Sequence, residues 1–193
     1  MKKGTLALIA IVAIVVIWAI SGYNGLVTLD ENVSNAWSNV ETQYQRRADL
    51  IPNLVSTVKG YATHEKETLE GVVEARSKAT SIKLDADNLT PEKLAAFQKA
   101  QGDVTTALGK LLAITENYPD LKANENFKEL QAQLEGTENR ITVARMEFNK
   151  QAKELNTQIR RFPKNLLAAI FGIDKRAYFE AAEGAAQAPK VEF

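Results

Sequence analysis

Residues 4–29 carry no charge, and every position from 6 to 20 is apolar. Such a segment has no polar face to turn toward water and exceeds the length of a strand, so neither a surface helix nor a sheet can absorb it. At ~1.5 Å per helical residue, residues 4–22 reach about 28 Å, close to the roughly 30 Å hydrocarbon core of a bilayer. Trp18 and Tyr23 fall near its C-terminal end, where amphipathic rings favour the headgroup level. Residues 1–22 therefore read as a transmembrane signal anchor. Lys2 and Lys3 precede the span and the next positive residue is Arg46, so the positive-inside rule places the N-terminus in the cytoplasm and the remainder on the far side. A cleaved signal peptide is the competing reading, since Ala19-Ile20-Ser21 offers small residues at the cleavage spacing. Against it, helical periodicity resumes directly after Asn24.

Beyond the span, apolar residues recur at intervals of three and four, and no alternating stretch is bounded by hairpin signals. The first stripe runs Leu29, Val33, Trp37, Val40, Tyr44, Ala48, Ile51, Val55 and Val58. Pro52 lies within it and lacks a backbone donor, so a kink or break is expected near Leu50-Ile51, and the resumption of the stripe through Val55, Val58 and Tyr61 favours the kink. Residues 64–82 form a second helical stretch that either continues the first beyond Gly60 or stands apart. Thr90, Pro91 and Glu92 suit an N-cap, a first helical position and the positive pole of the macrodipole. A third helix follows through Leu94, Phe97, Ala100 or Gln101, Val104, Leu108, Leu111 and Leu112, closed by Asn117-Tyr118-Pro119-Asp120. The last long stripe holds from Phe127 through Leu134, Ile141, Phe148 and Leu155 to Ile159, about 50 Å of helix. Phe162-Pro163 ends it, and residues 165–171 form a short apolar helix that Gly172 caps. The fold class is all-α: an N-terminal transmembrane helix, then an antiparallel bundle of three to four long helices over residues 23–183. Residues 184–193 read as a flexible tail, with Val191-Glu192-Phe193 as a candidate peptide ligand.

Composition removes much familiar chemistry. The 193 residues include no cysteine and one histidine, which excludes disulfides, thiolate nucleophiles, cysteine-ligated metals and a His-rich metal site. Lys and Arg number 24 against 24 Asp and Glu, leaving no net positive field for a phosphate backbone, so no nucleic-acid partner is expected. His64-Glu65 lacks the second histidine of a zinc-protease helix. No serine stands in a nucleophile-elbow context, and Gly102, Gly109 and Gly136 are scattered through helices as close-packing positions or weak points. No catalytic residue, cofactor or metal is assigned.

The segment Tyr23-Asn24-x-Leu26-Val27, Ala36-Trp37 and Gln45-Arg46-Arg47-Ala48-Asp49-Leu50-Ile51-Pro52-Asn53-Leu54-Val55, through Val58-Lys59-Gly60-Tyr61-Ala62, resembles the LemA family. So does the block from Glu116-Asn117-Tyr118-Pro119-Asp120 to Asn126-Phe127, with Glu135-Gly136-Thr137-Glu138-Asn139-Arg140-Ile141 after it. Ala144-Arg145, Phe148-Asn149, Phe162-Pro163 and Phe171-Gly172 match the C-terminal part of the pattern. Tyr44 stands where leucine is more usual. The resemblance implies a bacterial membrane protein with one N-terminal span, a helical bundle and no established enzymatic activity. It also implies relatives at magnetosome membranes and beside envelope-protease genes.

Arg46, Arg47 and Asp49 on one stripe-bearing helix, and Glu138, Arg140 and Arg145 on another, are the densest polar clusters. They read as register-setting ion pairs, Arg46 with Asp49 among them, or as an interaction site. Asn24, Asn35 and Asn39 are candidates for setting register between copies, and Trp37 and Tyr118 complete the interaction residues. The expected function is a non-enzymatic scaffold in the bacterial inner membrane, partnered by the lipid bilayer and by identical copies. The alternatives are an adaptor or substrate of an envelope protease, docking through Tyr118-Pro119-Asp120 or the tail, and a membrane-remodelling protein using residues 162–171. In that last segment, core capping is the favoured role.

Overall fold

The computed structural model describes residues 3–86 and 89–180. Lys2, the 184–193 tail and the Val191-Glu192-Phe193 ligand reading lie outside the described residues. Among the described residues six helices follow in order: α1 Lys3–Lys59, α2 Lys66–Ser81, α3 Pro91–Thr115, α4 Pro119–Ala123, α5 Glu125–Gln158 and α6 Lys164–Phe171. At 57 residues, α1 is about 85 Å long. Its apolar N-terminal part is the one stretch among the described residues long and apolar enough to cross a membrane, and none of that window is buried in the protein.

The rest of α1 is the spine of the bundle. Val33, Trp37, Val40 and Tyr44 share a core with Ile141, Ala144, Phe148, Ala152 and Leu155, while Ile51, Leu54 and Val58 share a second with Leu134 and Phe127. Ascending numbers on α1 thus meet descending numbers on α5, an antiparallel pair. α2 turns back along α1 after the loop at 60–65, and α3 rises again with Val104, Leu108 and Leu111 in the second core. The second stretch therefore does not continue the first: Gly60 donates to the Thr57 carbonyl and Tyr61 to that of Val58, which closes α1.

Local signals read from the sequence hold at two ends, Thr90 and Gly172, and Asn124 supplies a further cap that only the structure brings out. Thr90 accepts from the Lys93 amide with Pro91 at the first helical position, Asn124 accepts from the Phe127 amide, and Gly172 adopts φ 67° to close α6. The Ala100-or-Gln101 alternative resolves to Gln101, which is buried. The stripe on α1 shifts slightly, with Leu54 fully buried and Val55 at its margin. α1 is not broken at Pro52, which is exposed on its outer face. The carbonyl that Pro52 cannot serve is that of Ala48, and Arg76 Nε on α2 donates to it at 2.7 Å. A tertiary donor thus replaces the missing amide and keeps the helix continuous.

Candidate functional site

Arg47 sits between the two apolar cores, 2% exposed. Its position follows from helical spacing: Tyr44 belongs to one core and Ile51 to the other, so the residue between them on the same stripe points inward at their junction. Nη1 donates to Glu138 Oε1 at 2.7 Å and to Thr105 Oγ1 at 3.0 Å; Nη2 donates to the Gln101 carbonyl at 3.1 Å and also to Gln101 Oε1. The guanidinium lies 5.1 Å from the Tyr44 ring centroid. Burial pushes the Tyr44 phenol above its ordinary range, against the opposing pull of Arg145 and Arg47. One cation thus ties α1 to α3 and α5 in a polar layer where any slip of a turn would strand it.

Only this pair of the expected charge cluster forms. Arg46 and Asp49 are exposed on the outer side of α1, and Asp49 accepts from Gln45 Nε2 at 2.7 Å rather than pairing with Arg46. Both lie off the buried stripe, so they cannot face α5. Arg140 is exposed and donates to Thr137 Oγ1 at 3.3 Å. Arg145 is half-buried, 4.7 Å from the Phe179 ring centroid, with Nη2 donating to the Glu180 carbonyl at 3.1 Å. Trp37 is core, its ring centroid 5.6 Å from both Phe97 and Phe148 and 6.0 Å from Phe179. Tyr118 Oη donates to Glu65 Oε1 at 3.0 Å, which raises the phenol's pKa and fixes the membrane-distal turn. Asn24, Asn35 and Asn39 remain exposed on α1.

A second constellation has no counterpart in the sequence reading. Residues 173–180 leave helical geometry and lie extended along the bundle. Asn156 accepts from the Arg176 amide and donates to its carbonyl, each at 2.8 Å; Asn149 does the same to Phe179 at 2.8 and 2.9 Å. Gln98 Nε2 donates to the Glu180 carbonyl at 3.0 Å. Arg176 Nη2 pairs with Asp30 at 2.7 Å. Side-chain amides here satisfy main-chain groups as a neighbouring strand would, and Phe179 is the buried anchor. The available signal was Asn149 and Asn156, seven residues apart beside an apolar stripe.

A cleft of about 320 Å³ opens beside the polar layer, lined in part by Glu41, Tyr44, Arg47, Arg76, Phe97 and Gln101. Arg47, Arg76 and Gln101 already bond within the protein. Among the described residues no group of three His, Cys, Asp or Glu could hold a metal ion. Gly102 and Gly109 are not close-packing positions: a Cβ there would meet nothing within 4 Å, and at Gly136 it would meet only the Arg140 side chain. The tight glycine is Gly22, where a Cβ would stand 2.6 Å from Leu167 Cδ1 of α6.

A helical bundle on an apolar N-terminal rod, pinned by a buried Arg–Glu layer, defines a membrane-associated helical protein. The chain belongs to the LemA family, whose pattern residues 36–193 match. Magnetosome protein MamQ of Magnetospirillum gryphiswaldense is 32% identical over 177 residues, covering 81% of this chain and 64% of that protein. Magnetosome protein MamQ 1 of Paramagnetospirillum magneticum is 30% identical over 175 residues, covering 82% and 64%. Protein LemA of Metamycoplasma hominis is 27% identical over 160 residues, covering 83% and 69%. The match thus spans under two thirds of the MamQ proteins' own length.

Proposed function

We propose that this protein is a non-enzymatic, membrane-anchored scaffold whose copies associate side by side and organise partners at the membrane. The observation that carries the reading is that the span and the bundle's spine are one uninterrupted helix. A rod of this kind fixes the bundle's orientation to the bilayer, whereas a flexible linker would not. The outer face of α1 above the span is a polar surface of Asn32, Asn35, Ser38, Asn39 and Thr42, with Glu147 and Gln151 of α5 beside it, available to another copy. The magnetosome names of the MamQ relatives support a setting at a membrane. On this reading the bundle lies on the extracytoplasmic side of the bacterial inner membrane, with the N-terminus cytoplasmic. The protease-adaptor reading has less support, because the Tyr118 hydroxyl is engaged with Glu65.

The cysteine-free chain makes the test clean. Single variants Asn35→Cys and Asn39→Cys, oxidised in native membranes, are expected to give disulfide-linked dimers, while Lys110→Cys on the far side of α3 stays monomeric. Uncrosslinked Asn35→Cys and Asn39→Cys, together with a monomeric mass in mild detergent at micromolar concentration, overturn self-association. Reporters fused at each end establish the orientation independently.

A further inference from the structure

The short helix after Phe162-Pro163 does two things at once. Leu167 and Ala168 are buried against Leu26, with Ala19 beside them, and Phe171 lies 4.4 Å from the Tyr23 ring, centroid to centroid. Those α1 residues are the last turns of the apolar span and the first beyond it. The capping role expected of residues 162–171 is therefore filled by only part of the segment. Phe162 is 81% exposed, Ile170 73% and Leu166 52%. Leu166 and Ile170 are one turn apart on α6 and form an apolar edge beside the edge that packs on α1, and Phe162 is exposed in the turn that leads into the helix.

Two further observations say what covers that edge. First, its depth is set by the packing: with Leu167 against Gly22, α6 cannot be far from the plane where the span leaves the hydrocarbon. Second, the exposed basic residues Arg160, Arg161 and Lys175 flank it, with half-buried Lys164 at its start and Asp174 the one acidic residue between 159 and 176. Apolar residues bordered by cations at headgroup level are what an interfacial helix needs.

We propose that α6 is a second membrane contact: it lies in the bilayer interface beside the span, inserting Phe162, Leu166 and Ile170 among acyl chains while Arg160, Arg161 and Lys175 engage anionic lipid headgroups. The bundle is then held at two points, which fixes its rotation about α1 as well as its height. The proposal rests on the span being inserted, and the test separates the two. Full-length protein carrying one environment-sensitive fluorophore, at Leu166→Cys or Ile170→Cys, is reconstituted in phosphatidylcholine vesicles with and without phosphatidylglycerol. Ile11→Cys in the span and Lys110→Cys on α3 serve as references.

Labels at 166 and 170 are expected to be quenched by shallow nitroxide lipids several-fold more than the label at 110, and to be shielded from aqueous iodide. Phosphatidylglycerol should strengthen lipid quenching, and Arg160→Gln with Arg161→Gln should remove most of that gain. Iodide access at 166 and 170 with lipid quenching at 11 overturns the proposal while leaving the span intact. Iodide access at 11 as well overturns both. Shielding at 166 and 170 from both quenchers, relieved on diluting protein into lipid, assigns the edge to a second copy and also overturns it.

Discussion

Pro52 withdraws one backbone donor from α1, and Arg76 restores it from a different helix. The carbonyl of Ala48 is in a buried residue, where an unmade hydrogen bond costs about 1–3 kcal/mol. Arg76→Met keeps much of the stem's packing and removes the donor, so it should destabilise by about 1–2 kcal/mol. In a Pro52→Ala background the alanine amide serves Ala48 instead, and the same substitution should cost less than half as much. Urea unfolding of the four proteins in detergent measures that coupling directly; additive effects would mean that Arg76 does not act through Ala48. Arg76 falls within the second helical stretch, residues 64–82. Its purpose was not legible there, because the vacancy it fills lies on another helix.

Helices in this chain were legible wherever the information is local. The cap at Thr90 and the left-handed terminator Gly172 depend on a few consecutive residues, and they act where those residues place them. Glycines show the limit of local reading. On α3, Gly102 and Gly109 face open space, so only their conformational entropy counts. Replacing either by alanine should stabilise the protein by about 0.5–1 kcal/mol, read as a rise in the denaturation midpoint at constant m-value. Gly22→Ala should do the opposite, because the added carbon collides with Leu167 and pushes α6 from α1. One residue type at three helical positions thus has two consequences, separated only by what lies across the gap.

The two larger apolar cores of the bundle have a charged layer between them. Glu138 is 39% exposed while Arg47 is 2% exposed, so the glutamate's removal harms mainly by leaving the buried guanidinium short of an acceptor. Glu138→Ala should cost about 1–3 kcal/mol. Replacing the pair together, Arg47→Met with Glu138→Leu, should recover most of that loss in chemical denaturation, since apolar packing can match a buried ion pair. The same double variant should show broadened resonances for core residues of α1 and α5, because register would then rest on shape alone. Sharp spectra unchanged from the parent would remove the register role. The extended 173–180 segment belongs to this scale too, since its amides find partners on α3 and α5 that no neighbouring residue announces.

By itself the sequence determined the apolar span, the helical character of every long segment, most of the buried face of α1, α3 and α5, and the family, since all of these rest on local periodicity or on ordered motifs. Tertiary structure alone decided that Arg47 rather than Arg46 meets Glu138, that Arg76 completes α1, that Asn149 and Asn156 hold the extended 173–180 segment, and that α6 sits at the mouth of the span with Leu166 and Ile170 uncovered. The physical reason is common to these cases. A helix's own residues fix which way a side chain points, but whether it meets a carboxylate, a carbonyl, a methyl group or lipid depends on a partner far away in the chain.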